Sequence, residues 1–110
     1  MEITETEKYC IITPLSPKLD LRQTTRIKNE IECHSAMKVC FDLSYVNDCT
    51  IEFIEYIKNL GNICLFNIPS DLFAIINCMN IDKNFDLYSS REDFLEQRHK
   101  ILNRKFTVVK

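Results

Sequence analysis

Along this 110-residue chain, short β-branched and aromatic runs alternate with stretches whose apolar residues recur at helical spacing, and the changes of period mark the elements. Lys8-Tyr-Cys-Ile-Ile-Thr-Pro-Leu15 ends at the turn signal Ser16-Pro17, which predicts a strand. A shorter strand over Glu2 to Thr6 is expected to pair with it as a hairpin. After the turn, Ile27 and Ile31 stand at i, i+4, so Leu21 to about Cys33 reads as a helix with Asp20 near its start. Met37-Lys-Val-Cys-Phe-Asp-Leu43 has the length and character of a buried strand, and the polar loop Ser44 to Cys49 follows it. Thr50 to Leu60 sets Ile51, Ile54, Ile57 and Leu60 at three-residue steps, with Glu52, Glu55 and Lys58 between them, and stops at Gly61. This predicts an amphipathic helix with a glycine stop.

The same alternation continues to the end. Asn62-Ile-Cys-Leu-Phe-Asn-Ile68 predicts another buried strand, and Pro69-Ser70 opens a helix with Leu72, Ile75, Ile76 and Met79 on one face. Phe85 to Tyr88 is expected as an edge strand. Ser89 and Glu92 have capping-box spacing and predict a last helix running through Phe94, Leu95, Ile101 and Leu102, with Lys105 to Lys110 as a short strand or tail. Strands alternating with helices predict an α/β domain: a mixed sheet of about four or five strands, about four helices, and right-handed crossovers that gather the helices on one or both faces.

Composition narrows the function classes. With 45% hydrophobic and 27% charged residues the chain has the make-up of a globular domain, and its length suits one domain. A net charge of −2 supplies no basic field for a phosphate backbone, so nucleic acid is not an expected partner. MEITETEKYC opens acidic where a secretory signal carries positive charge, and no apolar run reaches spanning length, so a cytoplasmic location without membrane insertion is expected. Cys10, Cys33, Cys40, Cys49, Cys64 and Cys78 are scattered with no C-x-x-C pair and read as reduced, structural residues instead of a zinc or disulfide framework. No cofactor or metal is expected, since one glycine excludes a glycine-rich phosphate loop and His34 and His99 have no metal-ligand spacing.

Three stretches, in order, carry a family resemblance. Pro14-Leu-Ser-Pro-Lys-Leu-Asp20 is similar to a strand followed by Gly-x-Leu-Asp, with Pro17 in the glycine place. Phe41-Asp-Leu-Ser-Tyr-Val-Asn-Asp-Cys-Thr-Ile51 is similar to a strand and loop leading into Asp-Ser-Ser-Gly-Leu. Asn62 to Ile68, continuing through Leu72, Ile76, Asn80-Ile-Asp82 and Phe85, is similar to the strand and helix that follow. Together they resemble the STAS domain, the sulfate transporter and anti-sigma-factor antagonist family, from about Glu2 to Leu95. The resemblance implies a STAS-like domain over residues 1–96, with 97–110 as an extension of the last helix and tail. The short span from Asp48 to Gly61 implies a trimmed second helix or a tight connection into the next strand.

In bacterial members a serine at the start of the second helix is phosphorylated by a partner kinase, which switches binding off. Matching Val46 and Ile51 to the family's apolar positions sets Asn47 on its aspartate and Asp48 on its serine, with Cys49 and Thr50 next. A slip of one residue sets Asp48 on the aspartate and Cys49 on the serine. In either register a stable phosphoester at that position is lost. Two readings of Asp48 stand side by side: a fixed negative charge partly imitating the phosphorylated state, and a helix N-cap worth about 1 kcal/mol. Thr50 and Ser44 are nearby hydroxyls that a kinase could use, and Thr50 could equally be the cap. Ser16 and Asp20 are expected at the same end of the sheet, Asp20 as a helix cap, while Glu52 and Glu55 form either added partner surface or a solvated face.

The implied function is a non-enzymatic, protein-binding regulator resembling an anti-sigma-factor antagonist, acting on an anti-sigma factor or a similar switch protein in bacterial transcription signalling. The alternative is a STAS subunit docking on the cytoplasmic ATPase of an ABC lipid transporter. The C-terminal extension could add an edge strand, a homodimer contact or a partner site. A Cys49 nucleophile with His34 as base is the competing enzyme reading, weakened by the lack of a third group or oxyanion site.

Overall fold

The computed structural model describes residues 1–6, 8–33, 38–79 and 85–96, and the backbone of 100–101. Its elements run β1 (Glu2–Glu5), β2 (Tyr9–Thr13), β3 (Lys18–Leu19), α1 (Leu21–Cys33), β4 (Lys38–Asp42), β5 (Asp48–Cys49), α2 (Ile51–Leu60), β6 (Ile63–Phe66), α3 (Ser70–Cys78), β7 (Phe85–Tyr88), α4 (Arg91–Leu95) and β8 (Lys100–Ile101). The main sheet has the order β1-β2-β4-β6-β7-β8, and β3 pairs with β5 as a separate two-stranded ribbon. This is a single-domain α/β fold with a mixed sheet: β1/β2 and β7/β8 are antiparallel, and β2, β4, β6 and β7 are parallel.

The parallel strands step always in one direction, so right-handed crossovers bring α1, α2 and α3 to one face. The alternation of side chains agrees. Ile12, Phe41, Leu65 and Leu87 point to the helices and pack with Ile27, Phe53, Ile57, Leu72 and Ile76. Their neighbours Ile11, Cys40, Cys64, Phe66 and Tyr88 point to the other face and pack with Phe94 of α4. Both faces of β4 and β6 are therefore buried, as their continuous apolar runs require.

The β1–β2 hairpin and helix α1 lie where the patterning predicts them, Ile27 and Ile31 facing inward. The tight connection after α2 is also present. Gly61 ends the helix with φ 61°, its N–H donating to the Ile57 carbonyl, and Asn62 follows with φ 46° before β6 begins at Ile63.

Several expectations are corrected. Ile51 is 51% exposed, and Phe53 occupies the core beside Ile54 and Ile57. A helix turns about 100° per residue, so each three-residue step falls about 60° short of a turn and the three steps from Ile51 to Leu60 fan around the helix. Ile75 of α3 points outward for the same kind of reason, leaving Leu72 and Ile76 inside. Strand β7 is not at the edge, because β8 pairs beyond it. The last helix ends at Leu95, and Ile101 belongs to β8 instead of that helix. Its cap is Ser90, whose hydroxyl accepts the Asp93 N–H, so the capping residue is one later than Ser89. Leu102, Lys105 to Lys110, His34, His99 and Asn80-Ile-Asp82 lie outside the described residues.

Candidate functional site

The loops leaving the carboxyl ends of β2 and β4 converge into one tip. Lys18 pairs with Asp48 and Leu19 with Cys49 in parallel register. The pairing is reinforced at both ends: the Asn47 and Asp48 N–H groups donate to the Pro17 carbonyl at 2.7 and 3.1 Å, and the Thr50 N–H donates to the Leu19 carbonyl at 2.9 Å. Proline at 17 has no N–H but keeps its carbonyl, which is the group this ribbon uses. Ser16 is held in its own turn, donating to the Lys18 carbonyl at 2.9 Å. Asn47, Asp48, Cys49, Thr50, Ser16 and Asp20 are thus brought to one end of the sheet.

Each side chain there has a definite role in the packing. Asp20 caps α1, its Oδ1 accepting the Gln23 N–H at 3.1 Å, as the sequence predicts. Asp48 does not cap α2. Thr50 holds the N-cap position, and the Asp48 carboxylate accepts the N–H of Cys49 at 2.9 Å from within an exposed strand residue. The Thr50 hydroxyl makes no cap bond either, since it donates to the Leu19 carbonyl at 3.3 Å and stitches the ribbon. Of the two apolar positions that align this loop with the STAS pattern, Val46 is buried and Ile51 is exposed. Glu52 and Glu55 are exposed on α2.

Burial, and then the neighbouring Asp48 carboxylate, push the Cys49 thiol up to about 12, which disfavours the thiolate that a nucleophile needs. All six cysteines are free thiols; Cys10, Cys40 and Cys64 are buried, while Cys33 and Cys78 are exposed. Cys64 is pushed up by its hydrogen bond with Cys40, its register partner in β4, and by burial.

Beside the ribbon lies a polar cluster that patterning does not reveal. Asp42, which closes β4 and is only 7% exposed, accepts the Ser44 N–H at 3.1 Å, the Ser44 hydroxyl, and the Asn67 amide at 3.0 Å on its Oδ1. The Arg91 guanidinium stands 3.3 Å from its Oδ2 and donates to the Thr13 hydroxyl at 3.2 Å. Asn67 also donates to the Ser44 oxygen at 3.0 Å, and it adopts φ 56°, a left-handed conformation that asparagine tolerates better than most residues. With both oxygens engaged, Asp42 is a structural bolt across the carboxyl ends of β2, β4 and β6. One signal was available: a carboxylate ending the apolar run Val39-Cys-Phe41 must find partners when buried. Nothing in the sequence points to Arg91, Asn67 or Thr13 as those partners.

A shallow cleft of about 290 Å3 opens at the carboxyl ends of β6 and β7, lined by Ile68, Ser70, Phe73, Tyr88 and Ser89. Among the described residues no group of three or more His, Cys, Asp or Glu side chains is arranged to hold a metal ion, and no helix is long and apolar enough to cross a membrane. No protein-family model and no curated protein matches the chain.

Proposed function

We propose that the chain is a non-enzymatic, protein-binding regulator of the anti-sigma-factor-antagonist type, docking through the tip formed by β3, β5 and the first turns of α1 and α2. The observation that carries this reading is the distribution of exposed apolar side chains. Six large apolar residues stand exposed among the described residues, and four of them, Leu15, Leu21, Tyr45 and Ile51, belong to the segments that build this tip. Leu21 and Ile51 are equivalent in the ribbon register, each two residues beyond a paired position, Leu19 and Cys49. Folding gains nothing by clustering apolar surface at one end, whereas a partner that covers it gains roughly 25 cal/mol per Å2.

The tip also carries charged groups of both signs. Asp20, Asp48 and Glu52 are exposed there, interspersed with Lys18 and Arg22. Asp48 is a permanent charge: its carboxylate cannot form the stable phosphoester that a serine forms, so binding is tuned by a fixed anion. Thr50 is a poor substitute acceptor, because its hydroxyl is committed to the Leu19 carbonyl and the residue is half-buried.

The test is retention by the immobilised chain of a histidine-kinase-like anti-sigma factor from the source organism, identified by mass spectrometry. Tyr45→Ala with Ile51→Ser should lose at least tenfold in affinity with the fold intact, since hot-spot aromatic and apolar anchors are worth about 2 kcal/mol or more each. Glu55→Gln, further along α2, should bind as the parent does. Retention of an ABC-transporter ATPase in place of the switch protein would transfer the proposal to the transport reading. Binding that is indifferent to the tip variants would end it.

A further inference from the structure

Asp42 is held from two directions, by hydrogen bonds on one oxygen and by an ion pair on the other. On one side its Oδ1 holds the Ser44 N–H and hydroxyl, which set the turn closed by the Val46 N–H on the Leu43 carbonyl at 3.1 Å. That turn leads directly into Asn47–Thr50. On the other side its Oδ2 faces Arg91, the first residue of α4, which packs on the face of the sheet opposite α1, α2 and α3. Helix α4 is only five residues long and buries one residue, Phe94, whose ring lies against those of Tyr9 at 4.8 Å and of Phe66 and Tyr88 at 5.4 Å each.

We infer that Asp42 is a conformational joint: the seating of α4 on the sheet, through Arg91, holds the 44–50 segment in its ribbon geometry, and release of α4 loosens the tip. When α4 lifts, the carboxylate loses its guanidinium and the Thr13 hydroxyl loses its donor. A carboxylate this enclosed, left with fewer donors, turns toward water to recover them. Turning moves the acceptor away from both Ser44 donors and from Asn67, so the turn that feeds β5 loses its clamp. Arg91 is thus a positioning residue for the tip, although it touches none of residues 44–50 in any bond described above. The coupling goes beyond the docking proposal and would exist whether or not a partner binds there.

Native-state hydrogen exchange on the full chain tests the joint without any partner. The amides of Asn47, Asp48 and Thr50, bonded to Pro17 and Leu19, are the reporters, and the Ile57 amide inside α2 is the internal standard. Arg91→Met and Phe94→Ala should each speed the three reporters roughly tenfold relative to Ile57, the first by removing the guanidinium and the second by unseating α4. Arg91→Lys keeps a cation within reach of Asp42 and should restore part of the protection. Reporters that keep their protection relative to Ile57, while the Phe94 amide of α4 in Arg91→Met exchanges faster, would overturn the joint. Should both strong variants unfold outright, Arg91→Lys decides on the same criterion: faster reporters support the joint, and unchanged reporters beside a faster Phe94 amide reject it.

Discussion

On one face of the sheet three helices share the burial among Ile27, Ile31, Phe53, Ile54, Ile57, Leu72 and Ile76, while on the other a five-residue helix contributes one buried ring, Phe94. The first covering is shared, so loss of any one side chain leaves others still packed on the sheet. The second is concentrated. Phe94 touches three aromatic rings at once and packs on a layer containing Cys40 and Cys64, so among the described residues the helical covering of that face rests on one side chain and on the Arg91–Asp42 contact that seats its helix. A fold can thus be robust on one side and conditional on the other, and the conditional side is the one tied to the tip.

The largest test of this difference is a pair of truncations. Phe53→Ala and Phe94→Ala each remove a fully buried ring and should each cost about 3–5 kcal/mol in urea unfolding. Their consequences should differ in kind. In Phe94→Ala, Cys40 and Cys64 should become open to alkylation under native conditions while Cys10, on the helix-covered face, stays protected; Phe53→Ala should not produce this asymmetry. Equal protection of all three in both variants would dissolve the contrast between the faces.

Next in size is the bolt itself. Asp42→Ala leaves Arg91, Asn67 and Ser44 without their shared acceptor and should cost about 1–3 kcal/mol, read from the urea midpoint. A cost within a few tenths of a kcal/mol would mean that water replaces the carboxylate freely.

A pH titration sharpens the comparison from the thiol side. Cys10, pushed up by burial and then by Glu5, Cys49, raised to about 12, and Cys64 all hold their protons more tightly in the folded chain. Their contribution to stability is fully present below the ordinary thiol value of 9.0 and is lost as pH rises through the folded values, because the unfolded chain releases protons first. The urea midpoint should therefore fall between pH 9 and about 12, and Cys49→Ser should flatten part of that fall. A midpoint that holds steady through that window would refute the assignment.

The smallest effect is expected at the Lys38–Asp86 ion pair on the α4 side. The two groups meet at 2.6 Å with about a third of each side chain exposed. Burial works against the Lys38 ammonium, but the hydrogen bond and charge of Asp86 outweigh it and leave its pKa raised. Such a pair is worth less than about 1 kcal/mol, so Lys38→Met should shift stability by no more than that and the shift should shrink in high salt.

Periodicity determined by itself the α/β class, the hairpin, the inner faces of α1 and the central strands, and the glycine stop after Leu60, because each depends on neighbours within a few residues. It misassigned Ile51 and Phe53, since a three-residue repeat spreads around a helix and only the sheet selects which arc is buried. It could not decide whether Asp48 capped α2. The N-cap position went to Thr50, without a side-chain cap bond, because Pro17 and Leu19, about thirty residues earlier, draw the loop into a ribbon. Nor could it foresee the meeting of Thr13, Asp42, Asn67 and Arg91, four residues from separate loops and elements. Their contact exists because parallel crossovers bring the carboxyl ends of successive strands to one edge, and a buried carboxylate accepts whichever donors that topology delivers.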